Sequence, residues 1–126
     1  MQTWIAIAFG GAAGAVSRWL MATGVQRWFG RDFPWGTLSV NVLGSFAMGL
    51  LVLLLIERFD PGPALRLGIL VGFLGAFTTF STFAVETVYL VEDDVPLRAF
   101  LYVLASVGTC VIAVLAGMLV ARQIVA

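Results

Sequence analysis

The 126 residues contain no histidine and a single cysteine, Cys110. The first absence removes the commonest general base, and the second rules out an intrachain disulfide framework. Charge is equally scarce: seven basic and seven acidic residues make up 11% of the chain and sum to zero. The carboxylates form no metal-ligand cluster and Cys110 has no candidate base, so an enzyme is not expected. Long connections are missing too. Those at Arg27 to Trp35, Glu57 to Ala64 and Glu92 to Pro96 leave no room for a soluble domain.

What is present is oily. Hydrophobic residues make up 61% of the chain and the mean hydropathy is +1.05, so the chain belongs in a membrane. Charge-free runs of 24 residues before Glu57, 19 between Arg66 and Glu86, and 23 between Arg98 and Arg122 are each long enough to cross a bilayer. A fourth run, Trp4 to Gln26, carries one charge, Arg18. No basic region precedes Trp4, so this run reads as a span and not as a cleaved signal peptide. The expectation is an all-α integral membrane protein, one domain over 1–126, with spans near 4–26, 34–56, 65–91 and 97–121.

Orientation is undetermined by charge. With four spans, Arg58, Arg66 and Arg122 fall on one side and Arg27, Arg31 and Arg98 on the other, with Arg18 inside the membrane. Cytoplasmic loops normally hold the excess of positive charge. Three against three predicts insertion both ways, and the simplest closed product is an antiparallel homodimer about a two-fold axis in the membrane plane. The alternative is that lipids or an insertase select one orientation despite the even score.

Polar residues within spans are expensive and are functional candidates by default. In the second span Thr37, Asn41 and Ser45 recur every four residues along one helical face, and in the fourth Tyr102, Ser106 and Cys110 do the same. Such side chains also serve as interhelical glue, a reading that stays open for Asn41. Gly10 and Gly14, and likewise Gly68 and Gly72, are spaced for close helix approach. The third span holds "GAFTTFSTF" from Gly75 to Phe83. Its four hydroxyls compete for backbone hydrogen bonds, which predicts a break in the helix near 75–82. Unwound backbone at membrane depth survives only where protein buries it or it lines a cavity, so a break implies a site. Phe80 and Phe83 then project together if a helix resumes after the break. Their positive ring edges, the hydroxyls of Ser81 and Thr82 and the amide of Asn41 make an uncharged track that could replace water around a small anion.

"GGAAGAVSRW" at Gly10 to Trp19, "GTLSVNVLGSF" at Gly36 to Phe46 and "GFLGAFTTFSTFAVE" at Gly72 to Glu86 together resemble the Fluc, or CrcB, family of fluoride channels nearly end to end. The resemblance implies a dual-topology homodimer with two antiparallel pores that export fluoride passively and lower its toxicity, sited in a bacterial plasma (inner) membrane. It implies that Phe80 and Phe83 face the fluoride pathway, with Asn41, Thr37, Ser81, Thr82 and Ser106 along it. By the same resemblance Arg18 belongs to a vestibule and Glu86 to the pore's end. The backbone carbonyls of Gly75 and Thr78 are implied to hold a structural sodium ion at the dimer interface. Two departures stand out: Ala76 where the pattern often has glycine, and Cys110, a weaker donor than a hydroxyl.

Two other classes compete. A small proton-coupled multidrug exporter has the same size and span number but needs a carboxylate embedded in its first span, and this chain has none there. A membrane scaffold would use Asn41, Ser81 and Thr82 only as glue and would tolerate Phe80→Leu.

Overall fold

The structure, a computed structural model, describes residues 1–126. It is entirely helical, with four helices long and apolar enough to cross a membrane: Gln2–Phe29, Trp35–Arg58, Pro63–Glu92 and Pro96–Val125. The first is α1 (Gln2–Phe29). The second is α2 (Trp35–Leu53), closed by a wider π-helical turn over Leu54–Arg58. The third comprises α3 (Pro63–Leu67), a π-helical stretch Gly68–Leu74, α4 (Gly75–Phe77) and α5 (Phe80–Glu92). The fourth is α6 (Pro96–Val125).

Local chemistry explains where these helices start and stop. Gly30 ends α1 at φ 87° and Gly62 precedes α3 at φ 91°, both in the left-handed region that glycine enters without steric cost. Pro63 and Pro96 open α3 and α6, where a missing N–H is harmless. At α1, Trp4 and Trp28 are 81% and 89% exposed. Twenty-four residues separate them, roughly 36 Å at helical rise, a spacing that suits aromatic rings at the two faces of a bilayer.

Lipid offers no hydrophobic drive between helices, so packing depends on close backbone approach. α2 packs along α6, and α1 packs along the first arm of the third span. A Cβ on Gly10 or Gly14 would collide with the carbonyl oxygen of Gly68 or Phe73, and one on Gly49 or Gly117 with Val114 or Phe46. Both seams therefore require glycine. Their result is a bundle with a small buried interior in which Val40 and Tyr102 are fully enclosed. Large apolar side chains on α1 and α6, Phe9, Trp19, Phe100 and Ile112 among them, face outward.

The third helix is interrupted at two residues. Thr78 (φ −86°, ψ 155°) and Thr79 (φ −149°, ψ 113°) are extended, and helix resumes at Phe80. The interruption falls at the centre of the predicted 75–82 interval and is narrower than it, because Gly75 and Ala76 remain helical and Ser81 and Thr82 already belong to α5.

Candidate ion pathway

Two features hold the break open, and each comes from one side chain. Asn41, on α2, accepts from the Thr79 N–H through Oδ1 (2.7 Å) and donates from Nδ2 to the Thr79 carbonyl (3.0 Å). One amide thus pairs the N–H of an extended residue at membrane depth, which would otherwise go unpaired, and adds a second donor to a carbonyl that, at the N-cap of α5, already accepts the first helical bond. Thr79 in turn caps α5: its Oγ1 accepts from the Thr82 N–H (3.2 Å) and donates to Thr82 Oγ1 (2.9 Å). Ser81 Oγ lies 3.3 Å from Thr79 Oγ1. Thr78 turns back, its hydroxyl donating to the Leu74 carbonyl (3.0 Å), while its methyl occupies the space beside Gly44.

The same bonds liberate carbonyls. In an unbroken helix the Gly75 oxygen would accept from Thr79 and the Thr78 oxygen from Thr82. Both donors are engaged elsewhere, by Asn41 and by Thr79 Oγ1. Gly75 is also exposed on the single chain. Two oxygens without helical donors at a helix break are hard-cation ligands of the right kind, so Gly75 and Thr78 fit a sodium ion chemically.

A groove of about 360 Å³ opens beside the break. Asn41, Phe80, Phe83, Ser106 and Cys110 line it. Asn41 has one N–H left after bonding Thr79. Ser106 is 7% exposed and its Oγ has no partner, so it too can donate. The rings of Phe80 and Phe83 lie 5.3 Å apart, centroid to centroid, and Phe80 is 78% exposed where Phe83 is 8%. The pairing expected from their spacing is present, but only one ring belongs to the single chain's interior.

A second, polar cavity of about 400 Å³ is lined by Arg27, Arg31, Gln26, Thr37, Thr82 and Glu86 among others. Glu86 is its innermost charge. Thr37 Oγ1 donates to one carboxylate oxygen (2.8 Å) and the Tyr102 hydroxyl to the other (2.7 Å). Tyr102 is packed between them and lines neither: its ring meets Phe83, a wall of the groove, edge-on at 5.1 Å, while its hydroxyl holds Glu86, a wall of the cavity.

The candidates of the sequence therefore divide. Asn41, Phe80, Phe83 and Ser106 share the groove, Thr37, Thr82 and Glu86 share the polar cavity, and Ser81 is exposed beside the break. Arg18 is half-buried on α1 and lines neither space. The cavity's positive charge comes from Arg27, near the end of α1, and Arg31, just beyond it. Thr79 and Tyr102 are the residues that sequence reasoning undervalued. Thr79 stood unmarked among four hydroxyls, and Tyr102 appeared only as part of a stripe with Ser106 and Cys110. Their importance depends on partners 38 and 16 residues away.

Residues 5–118 match the protein family described as CrcB-like protein, Camphor Resistance (CrcB). A protein of Geobacter sulfurreducens named fluoride-specific ion channel FluC is 50% identical over 124 residues, covering 98% of this chain and all of the relative. One of the same name from Magnetococcus marinus is 52% identical over 118 residues, 94% of this chain and 96% of the relative. A third, from Methylococcus capsulatus, is 52% identical over 119 residues, and there the chain spans 52% of the relative's length.

Proposed function

The chain belongs to the CrcB-like family, and on that premise we propose that it is a fluoride-specific ion channel, a passive pathway and not an enzyme. The observation that carries the proposal is the level of identity, 50% across 98% of the chain, to a full-length relative named for that activity. The site's chemistry supports it independently. Fluoride is compact and strongly hydrated, so a conducting path must replace its water with close donors while binding loosely enough to release it. Asn41, Ser106 and the edges of Phe80 and Phe83 supply donors without formal charge. Arginines stay at the mouth, where they raise the local anion concentration without trapping the ion.

The functional unit under this reading is an antiparallel homodimer in a bacterial inner membrane. Its support is the condition of one chain alone. Gly75, Phe80 and Ser81, which flank the break, are all exposed, and a Gly75 carbonyl without its helical donor is costly beside lipid. A second copy turned upside down would cover it and complete two pores. Sodium is proposed between the copies, held by the Gly75 and Thr78 carbonyls, where its charge would fasten the two breaks together. A proton-coupled exporter is disfavoured because Glu86 is already bonded by two hydroxyls at the inner end of the cavity.

Fluoride efflux from liposomes containing the purified protein, measured with a potassium ionophore and with chloride as competing anion, tests this proposal. Rapid fluoride release with little chloride release is expected, with clear loss in Phe80→Leu. Wild-type protein that releases no fluoride in sodium buffer would overturn it.

A further inference from the structure

Gln26 lies one turn before the end of α1 and commits every polar atom of its side chain to one short segment. Its Nε2 donates to the carbonyl oxygens of Gly30 and Phe33, the latter at 2.8 Å, and its Oε1 accepts from the Gly36 N–H at 3.0 Å. These are backbone groups of the connection between α1 and α2 and of the first turn of α2. A side-chain amide is the neutral group that offers two donors and an acceptor together. α2 has no capping side chain of its own, so Gln26 also satisfies one of its orphan N–H groups from a neighbouring helix.

The connection so held carries Arg31. Arg31 and Gln26 both line the polar cavity of about 400 Å³ and an adjoining one of about 260 Å³. No carboxylate pairs with Arg31, since the one ion pair in the molecule joins Arg66 to Asp60. The place of Arg31 is thus set by its backbone. A second tie comes from the far side, where Arg98 Nη1 donates to the Asp32 carbonyl at 3.1 Å.

The geometry points to Gln26 as a positioning residue for anion entrance: it holds the α1–α2 connection so that Arg31 stands over the cavity leading to Thr37, Thr82 and Glu86. The inference rests on the fluoride-channel reading. It assigns Gln26 an effect on ion capture and none on passage through the groove, because an exposed charge attracts anions at range while the donors beside the break are untouched.

The test measures initial fluoride efflux from liposomes against internal fluoride concentration, at low and high ionic strength, for wild type, Arg31→Gln, Gln26→Leu and the double variant. Arg31→Gln is expected to raise the half-saturating concentration roughly threefold to tenfold at low salt, within the range by which local potential changes capture, with the maximal rate kept. Gln26→Leu should match it, the double variant should be no worse than Arg31→Gln, and high salt should erase the differences. A Gln26→Leu effect confined to the maximal rate, or one that adds to Arg31→Gln, overturns the inference. Should Gln26→Leu not fold, Arg98→Gln loosens the same connection and must also raise the half-saturating concentration; an unchanged value overturns the inference. Hydrogen exchange at the Gly36 amide, which needs no conduction, should quicken about tenfold in Gln26→Leu, as loss of one bond implies. Unchanged exchange sinks the latch even if wild type conducts. A silent wild type with quickened exchange in the variant sinks the channel reading and keeps the latch.

Discussion

Asn41 shows why one side chain in this protein cannot be replaced by a near relative. Asn41→Asp keeps an acceptor for the Thr79 N–H but removes the donor to the Thr79 carbonyl. A carboxylate oxygen then faces the Thr79 carbonyl oxygen with no donor between them, and the new charge sits in the groove. Fluoride efflux is expected to fall about tenfold or more, which the liposome assay reads directly. Tyr102→Phe is a different experiment on the same path. It leaves the ring contact with Phe83 and deletes only the hydroxyl that donates to Glu86. One carboxylate oxygen then loses its partner at a cost of about 1–3 kcal/mol, so a drop in efflux with little change in the amount of folded protein is expected. If Tyr102→Phe conducts as wild type does, the hydroxyl's hold on Glu86 is not needed for conduction. The need for a partner to Asn41 was legible in the sequence, since an amide in a span must be satisfied. Its partner was not, because Thr79 is 38 residues away and looks no different from Thr78 beside it.

The interrupted helix is an element made by contributions from two others. Gly44 on α2 leaves the space that the Thr78 methyl and the Phe77 ring fill, and Thr79 supplies the cap from which α5 restarts. Thr79→Ala removes the cap and should cost about 1 kcal/mol, seen as a lower unfolding temperature in detergent. Gly44→Leu drives a side chain into Thr78 and Phe77 and should abolish efflux. Its effect should exceed that of Leu43→Met beside it, where the side chain is 48% exposed. Poor helix propensity in "TTFSTF" predicted a break and its approximate place. Its two-residue width followed from pairing: once Asn41 had satisfied Thr79 and Thr79 had capped Thr82, the neighbours had no reason to leave the helix.

For the whole molecule the even distribution of arginine makes a prediction of its own. Glu57→Lys with Phe59→Lys adds positive charge to the side of Arg58, Arg66 and Arg122 and should fix one orientation. Under the antiparallel proposal that variant alone loses efflux by at least about tenfold, since opposed copies are needed for a closed two-fold pair. Co-expression with the opposite variant, Asp32→Lys with Glu92→Lys, should restore it. Efflux unaffected by fixing the orientation would argue for a parallel assembly or a single-chain pore. The four helices able to cross a membrane and the interruption of the third were determined by the sequence alone, because hydropathy, glycine spacing and hydroxyl clustering act over a few turns of one helix. Tertiary structure alone decided that the candidate track is two spaces with Tyr102 packed between a wall of each, that Arg27 and Arg31 and not Arg18 line the polar one, and that Asn41 clasps Thr79. Those outcomes depend on how far each helix is rotated and slid against its neighbours, and the glycine seams that set this bring together residues with no shared signal along the chain.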